Sequence, residues 1–547
     1  MVLAILLIMV LGSLILSIPA VQTRMAKYAT ESLNTEFGTN ININRVSLSL
    51  FSLNTGIKGI YVEDYKKDTL AYIEKLTTSI LNLKNMANGR MEFGDIAIDG
   101  LFFNLKTYEG ERDTNLDVFV AKLDDGKPRA PGTPPFFMSS DEIEIAEGRF
   151  RLTDENVEKQ VVLDFVDLEV MAKDFQILGP DVTLDIEALS LLSKRGVRLQ
   201  NLATEFTYTK EYMRFESLNI RTKESELKGQ LVFEYDREDF KEFLDKVKIK
   251  AQFTESTVSL NDVNSFYNEF GKDREVTFSG DFGGVLNALS VDNLFLQSGR
   301  TGIRGDFQFN NMFSKEAPFV MQAEMKNLTS SYYQLRAILP NILGKTIPPP
   351  LQKLGQFTIR GDAEVTETAL DVQVNLDTAI GSSYADLQMT NIQTNENASY
   401  IGFISLIDFD LGSFVEEEQL GLTSMDVNVE GKGLISEYLN TEIIGQVYKL
   451  EYNDYMYTNI RVSGILKEQL FDGSLVSNDQ NVKFTFEGLA DFAEDENQFN
   501  FIASVDHADL KKMNFIQDSV SVFKGDLNMN VAGSTLDNIV GQVRFSN

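Results

Sequence analysis

The sequence has no cysteine, no tryptophan and one histidine, His507. Without cysteine there are no disulfides, thiolate metal sites or thiol nucleophiles. One histidine excludes a His-based triad or a multi-histidine metal centre. Lys and Arg total 50 against 81 Asp and Glu, a net charge of −31. Nucleic-acid phosphates demand basic patches, so nucleic acid is excluded as a partner. Scattered acidic charge instead suits a soluble, monomeric surface. Gly431-Lys432-Gly433 lacks the rest of a phosphate cradle, and Glu416–Glu418 and Glu494–Glu496 lack the spacing of a calcium loop. The expectation is a protein that is not an enzyme, with no cofactor and no metal. Cysteine avoidance suits an oxidising compartment such as the periplasm.

A further absence organises the chain. No charged residue stands between Met1 and Arg24, and Val2 to Val21 is nearly all aliphatic. About 20 such residues in a helix span about 30 Å, a bilayer's hydrocarbon core. Residues 1–22 therefore read as a transmembrane anchor with the rest of the chain on one side. A cleaved signal peptide is the alternative. It needs a basic n-region, and Ser17-Ile18-Pro19-Ala20 is a poor cleavage site. Arg24 and Lys27 after the run would hold the body in the cytoplasm, although long domains translocate regardless of charge.

What is present is mostly strand pattern. Thr23 to Phe37 reads as a short amphipathic helix whose apolar positions include Val21, Met25, Tyr28 and Leu33. It fits against a membrane surface or as a cap on the first strands, and the pattern favours the cap. From Ile41 the period is two, and a meander of strands with short turns is expected over 23–123, with Gly100 opening a strand. Residues 124–135 hold four of the eleven prolines and read as a linker or long loop. Residues 136–547 read as repetitive β modules.

An internal repeat runs through these modules. Asp262, Asp410 and Asp509 each read as the N-cap of a short helix after a strand, with a looser copy at Asn327. Each is followed by a strand centred on glycine: Gly280, Gly361, Gly431 and Gly525. Such copies imply a stacked array. The last copy breaks off in mid-strand, so the natural protein is expected to continue.

An antiparallel sheet with few helices must hide one face. Strand alternation supplies one in Leu227, Leu231, Phe233 and Tyr235, in Phe307 and Phe309, and in Val372, Val374 and Leu376. That face could fill a dry sandwich or solenoid, which the alternation alone favours, or line a curled gutter.

The order of segments adds a resemblance. Ile18-Pro19 and a short helix follow the apolar run. Asn42 to Leu50, Gly59-Ile60-Tyr61-Val62-Glu63-Asp64 and Asp68-Thr69-Leu70 come next, then Gly89-Arg90-Met91 and Ile96 to Gly100. Over about the first 110 residues this resembles the AsmA-like superfamily, in particular the TamB family of translocation and assembly modules of Bacteroidetes-type bacteria. The remainder agrees only as repetitive β. The resemblance implies a fold that is mainly β: an elongated antiparallel sheet curled into a taco-like groove behind one N-terminal transmembrane helix. It implies a single pass through the inner (cytoplasmic) membrane and a periplasmic body that moves phospholipid acyl chains in outer-membrane biogenesis. It also implies a second role, assembling outer-membrane β-barrels or secreted proteins with an Omp85-family barrel as partner. A membrane-tethered β-rich scaffold or adhesin with a filled core is the third reading.

Overall fold

The computed structural model describes residues 18–49, 54–82, 84–85, 90–123, 135–156, 161–265, 269–314, 316–340, 349–491, 498–516, 521–533 and 540–546. Residues 1–17 of the expected anchor, 124–134 of the Pro-rich stretch and Glu494–Glu496 lie outside the described residues. Among the described residues no helix is long and apolar enough to cross a membrane. The protein is mainly β, 67% strand against 13% helix, with a long antiparallel sheet that is not closed. Helices are thus too few to cover the sheet. Two compact units form, Met1–Asn268 with Asp281–Leu286, and Glu269–Gly280 with Asn287–Asn547.

In the first unit the strands are β1 (Asn40–Leu48), β2 (Asn54–Glu63), β3 (Thr69–Ile80), β4 (Arg90–Thr107), β5 (Phe137–Asp154) and β6 (Val161–Leu178). They continue with β7 (Asp181–Ser193), β8 (Arg198–Tyr208), β9 (Tyr212–Arg221), β10 (Glu226–Glu234) and β11 (Lys248–Ser259). Each pairs with its sequence neighbour, antiparallel except for β4 and β5, which run parallel. A parallel pair needs a crossover. Helix Asn115–Leu123 and the Pro-rich stretch occupy that connection, so the strands flanking the prolines belong to one ladder.

The expected break at Gly100 is absent. Gly100 lies within the 18-residue β4 at φ 67°, a positive-φ bulge in a continuous strand. Glu147 and Asp167 hold φ 54° and 50° at the matching places in β5 and β6. A bulge shifts the side-chain phase by one, and matched bulges keep the same residues on one face.

β12 (Glu275–Val285) is divided at Gly280 between the two units, and in the second unit β13 to β18 are Ala288–Ser298, Thr301–Asn310, Val320–Ser331, Gln356–Thr366, Ala369–Thr378 and Gly381–Thr390. Next come β19 (Ser399–Asp410), β20 (Leu420–Lys432), β21 (Asn440–Tyr452), β22 (Tyr455–Lys467) and β23 (Leu470–Asn478). The last are β24 (Val482–Asp491), β25 (Gln498–Asp509), β26 (Val522–Ala532) and β27 (Val540–Ser546). From β13 onward every neighbour pair is antiparallel.

The repeat places short helices after β11, β15 and β19, but at Asp509 the expected helix is a turn over 510–514, and the caps differ in detail from the expectation. Asp410 does cap helix Leu411–Val415, accepting from the Ser413 N–H. Ser331, rather than Asn327, caps Tyr332–Ile338, and Ser259, rather than Asp262, caps Leu260–Asn264. A serine hydroxyl at the strand end does the same work as the carboxylate. Asp262 instead accepts from the Thr222 and Ser225 hydroxyls, both at 2.6 Å.

Helix α1 (Pro19–Phe37) seals the free edge of β1, and it does so with its polar side. Gln22 donates to the Leu48 carbonyl and accepts from the Leu48 N–H, both at 2.7 Å. Asn34 makes the same pair of bonds to Ile41, both at 2.8 Å. Thr23 accepts from the Val46 N–H at 3.0 Å. Side-chain amides thus take the place of a neighbouring strand, covering an edge that would otherwise invite pairing. The apolar positions expected to cap the strands face outward, with Met25 57% and Tyr28 76% exposed. Edge backbone groups need polar partners, and Gln22, Thr23 and Asn34 supply them from the other side of the helix.

Replacing both Gln22 and Asn34 with alanine should lower stability by about 2 kcal/mol in urea unfolding. Hydrogen exchange at the Ile41 and Leu48 amides should accelerate, and unchanged protection there would show that the clamp does not hold the edge.

Candidate apolar face

Residues opposite one another in an antiparallel ladder lie on the same face, so the register decides whether apolar positions meet. In the second unit they meet at every step. One row runs Val291, Phe307, Ala323, Ala363, Val372 and Leu387 across β13–β18. It continues through Gly402, Val429, Ile443, Gly464 and Gly473 across β19–β23. Gly488, Phe501, Met529 and Val543 complete it in β24–β27. No polar side chain interrupts it. A parallel row carries Met325, Gly361, Val374, Ala385, Ile404 and Val427, and ends in Leu527 and Phe545.

The first unit has its own face. Val46, Ile57, Leu76, Ile98, Ile145 and Val170 pair in succession across β1–β6. Leu189, Leu202, Ile220 and Leu227 extend the row to β10. Phe103, Phe150 and Phe165 stack beside it with centroids 6.0 and 6.1 Å apart.

The exposure of these side chains separates an open face from a packed core. Along β17, Leu370, Val372, Val374 and Leu376 are half-buried while Asp371, Gln373, Asn375 and Asp377 are exposed. Side chains in a dry interior would be almost fully buried. Among the described residues closed cores are local. One gathers Leu354, Phe357, Leu406 and Phe409 beside the short helices, with Leu376 at its margin. A second joins Val482, Ala508 and Met513.

The expected face residues divide accordingly. Leu227, Leu231 and Phe233 oppose Ile220, Phe215 and Met213, and all three are half-buried. Phe307 and Phe309 stack at 6.3 Å. Tyr235 lies just past β10 and is 6% exposed. Its ring packs 4.4 Å from Phe240, its hydroxyl donates to the Thr209 carbonyl, and burial pushes that hydroxyl up to about 12. Tyr235 is therefore a core residue beneath the turn 237–246 rather than part of the open surface. The alternation did not reveal the first-unit row or the glycines. Gly402 sits at φ 151°, where a Cβ would come 2.0 Å from the Asp386 carbonyl oxygen. Gly361 repeats this at φ 132°, 2.1 Å from the Gln373 oxygen. Their signal is a glycine at an apolar-phase position inside a strand.

The reverse face is mostly polar, with Ile401, Ile444, Ile465 and Ile502 standing singly among its polar residues. Asp306, Glu324, Asp362, Glu364 and Asp371 line a shallow depression of about 510 Å³, and Lys326 neutralises Asp306 at 2.6 Å. Among the described residues no group of three or more His, Cys, Asp or Glu could hold a metal. In the first unit Asp164 is buried under Arg149 at 2.6 Å, Lys194 at 2.7 Å and Arg151 at 3.4 Å. Arg149 above all, then Lys194, hold its carboxyl well below the usual carboxylate range. That depression stabilises the fold above the unfolded value of about 3.9 and is lost as pH falls below it.

Asp164→Asn should therefore cost about 1–3 kcal/mol at pH 7. The gap from wild type should narrow below about pH 4 in urea titrations, where the native carboxylate loses its advantage. A gap independent of pH would place its origin in packing. No family model, no curated protein and no solved structure matches this chain.

Proposed function

We propose that the apolar face carries phospholipid acyl chains, in a membrane-anchored envelope protein of the kind the AsmA-like resemblance implies. On this reading the sheet of each unit curls toward its apolar side to form a trough. The backbone at Gly361 and Gly402 supports the curl, since glycine kinks let a strand bend where a Cβ would collide with its neighbour. The observation that carries the proposal is the uninterrupted apolar row through β13–β27, mostly half-buried rather than packed under a second layer. Fourteen steps between these strands, at about 4.8 Å each, make a path of about 65 Å.

Energetics suit such a surface to lipid. Exposing a CH₂ to water costs about 0.8 kcal/mol, so a 16-carbon chain costs about 13. A continuous apolar face lowers that barrier while the headgroup stays in water. Nothing along it requires ATP or a catalytic group. The acidic reverse face repels anionic headgroups and favours the apolar side.

A photo-crosslinking residue at Val374 or Phe501 should form phospholipid adducts in cells, and one at Gln373, on the reverse face, should not. Val374→Asp with Phe501→Asp should abolish transfer of labelled phospholipid between vesicles while thermal unfolding shifts by a few degrees only. Absence of adducts at both positions, with collapse of the fold on charging them, would leave a filled scaffold.

A further inference from the structure

Helix α1 is built the wrong way round for a soluble helix. Such a helix turns its apolar stripe inward and its polar side to water. Here Gln22 and Thr30 are buried, while Ile18 is 46%, Met25 57%, Tyr28 76% and Leu33 45% exposed. At 100° per residue Met25 and Tyr28 share one side and Ile18 lies two turns before Met25, whereas Leu33 falls beside Gln22, at the margin of the clamped side. Because Gln22, Thr23 and Asn34 are committed to the β1 backbone, the helix cannot roll to bury its apolar side without breaking those bonds.

We propose that this outward stripe lies in the headgroup–acyl boundary of a bilayer and seats β1 against the membrane. This rests on the lipid-carrying reading of the apolar face and specifies where lipid boards it. Three features select a bilayer over a protein. The stripe continues in sequence from the uncharged run over 2–21. Arg24 and Lys27 stand in the first turns, exposed, where they can meet anionic headgroups. Tyr28, the most exposed of the four, has the amphipathic ring that favours the interface. The same helix holds the edge strand of the first-unit row, whose first members are Val46 and Ile57. Acyl chains leaving the boundary would meet that row first.

The absence of tryptophan makes the test direct. Tyr28→Trp in the full chain, reconstituted into phosphatidylethanolamine/phosphatidylglycerol vesicles, carries a single indole reporter on the stripe. A second variant, Tyr438→Trp, places the reporter on an exposed turn of the second unit. Emission from the Tyr28→Trp variant should shift to the blue and be quenched by lipids brominated near the carbonyls. Emission from the Tyr438→Trp variant should be quenched by aqueous iodide. Met25→Glu with Tyr28→Glu should slow lipid transfer roughly tenfold or more with unfolding unchanged. An indole at position 28 that is open to iodide and insensitive to bromolipid would overturn the proposal, as would shielding that appears without lipid and tracks dimer formation. Lipid adducts at Val374 persisting beside a water-exposed reporter at position 28 would defeat the seating alone. A shielded reporter there with no adducts at Val374 would defeat the conduit.

Discussion

Register in the antiparallel ladder is the constraint on which the rest of this protein depends. A strand alternates its side chains, so a slip of one residue would send its apolar set to the acidic side. In the second unit fifteen strands hold phase, so Val291 and Val543 belong to one row. In the first unit the matched positive-φ positions at Gly100, Glu147 and Asp167 do the same where the strands bend. Phase errors would break the apolar surface and set carboxylates among hydrocarbon, so the same constraint underlies both stability and the proposed use.

A sheet that does not close has edges, and the first is managed by side-chain chemistry. Gln22 and Asn34 each present a donor and an acceptor, which is what a strand's peptide unit would offer. This commitment turns Met25 and Tyr28 outward. The clamp on β1 and the proposed seat at the membrane are thus two sides of one helix.

Charge keeps to one face even where isoleucines such as Ile401 and Ile502 share that face with it. Asp164 with Arg149, Arg151 and Lys194, and Asp306 with Lys326, form their ion pairs without a polar group entering the apolar row. The local core near Phe357 binds short helices to strand ends, the one near Val482 binds a turn after β25, and both leave the middle of each strand mostly half-buried.

Much of this was legible before any coordinates. Composition excluded thiol and histidine chemistry, and period-two alternation put Leu231 with Phe233, Phe307 with Phe309 and Val372 with Val374 on one side of their own strands, because side-chain direction in a strand follows from the backbone alone. The alternation could not show which strands are neighbours, so it could not join Leu387 to Gly402 or separate Tyr235, folded under Phe240, from Phe233. It split β4 at Gly100 because a glycine that opens a turn and one that forms a bulge look alike in sequence. Its expectation for α1 came from hydropathy, which places apolar residues against protein. The orientation was decided by unpaired N–H and C=O groups on β1, a demand that exists only once the strand lies at an edge.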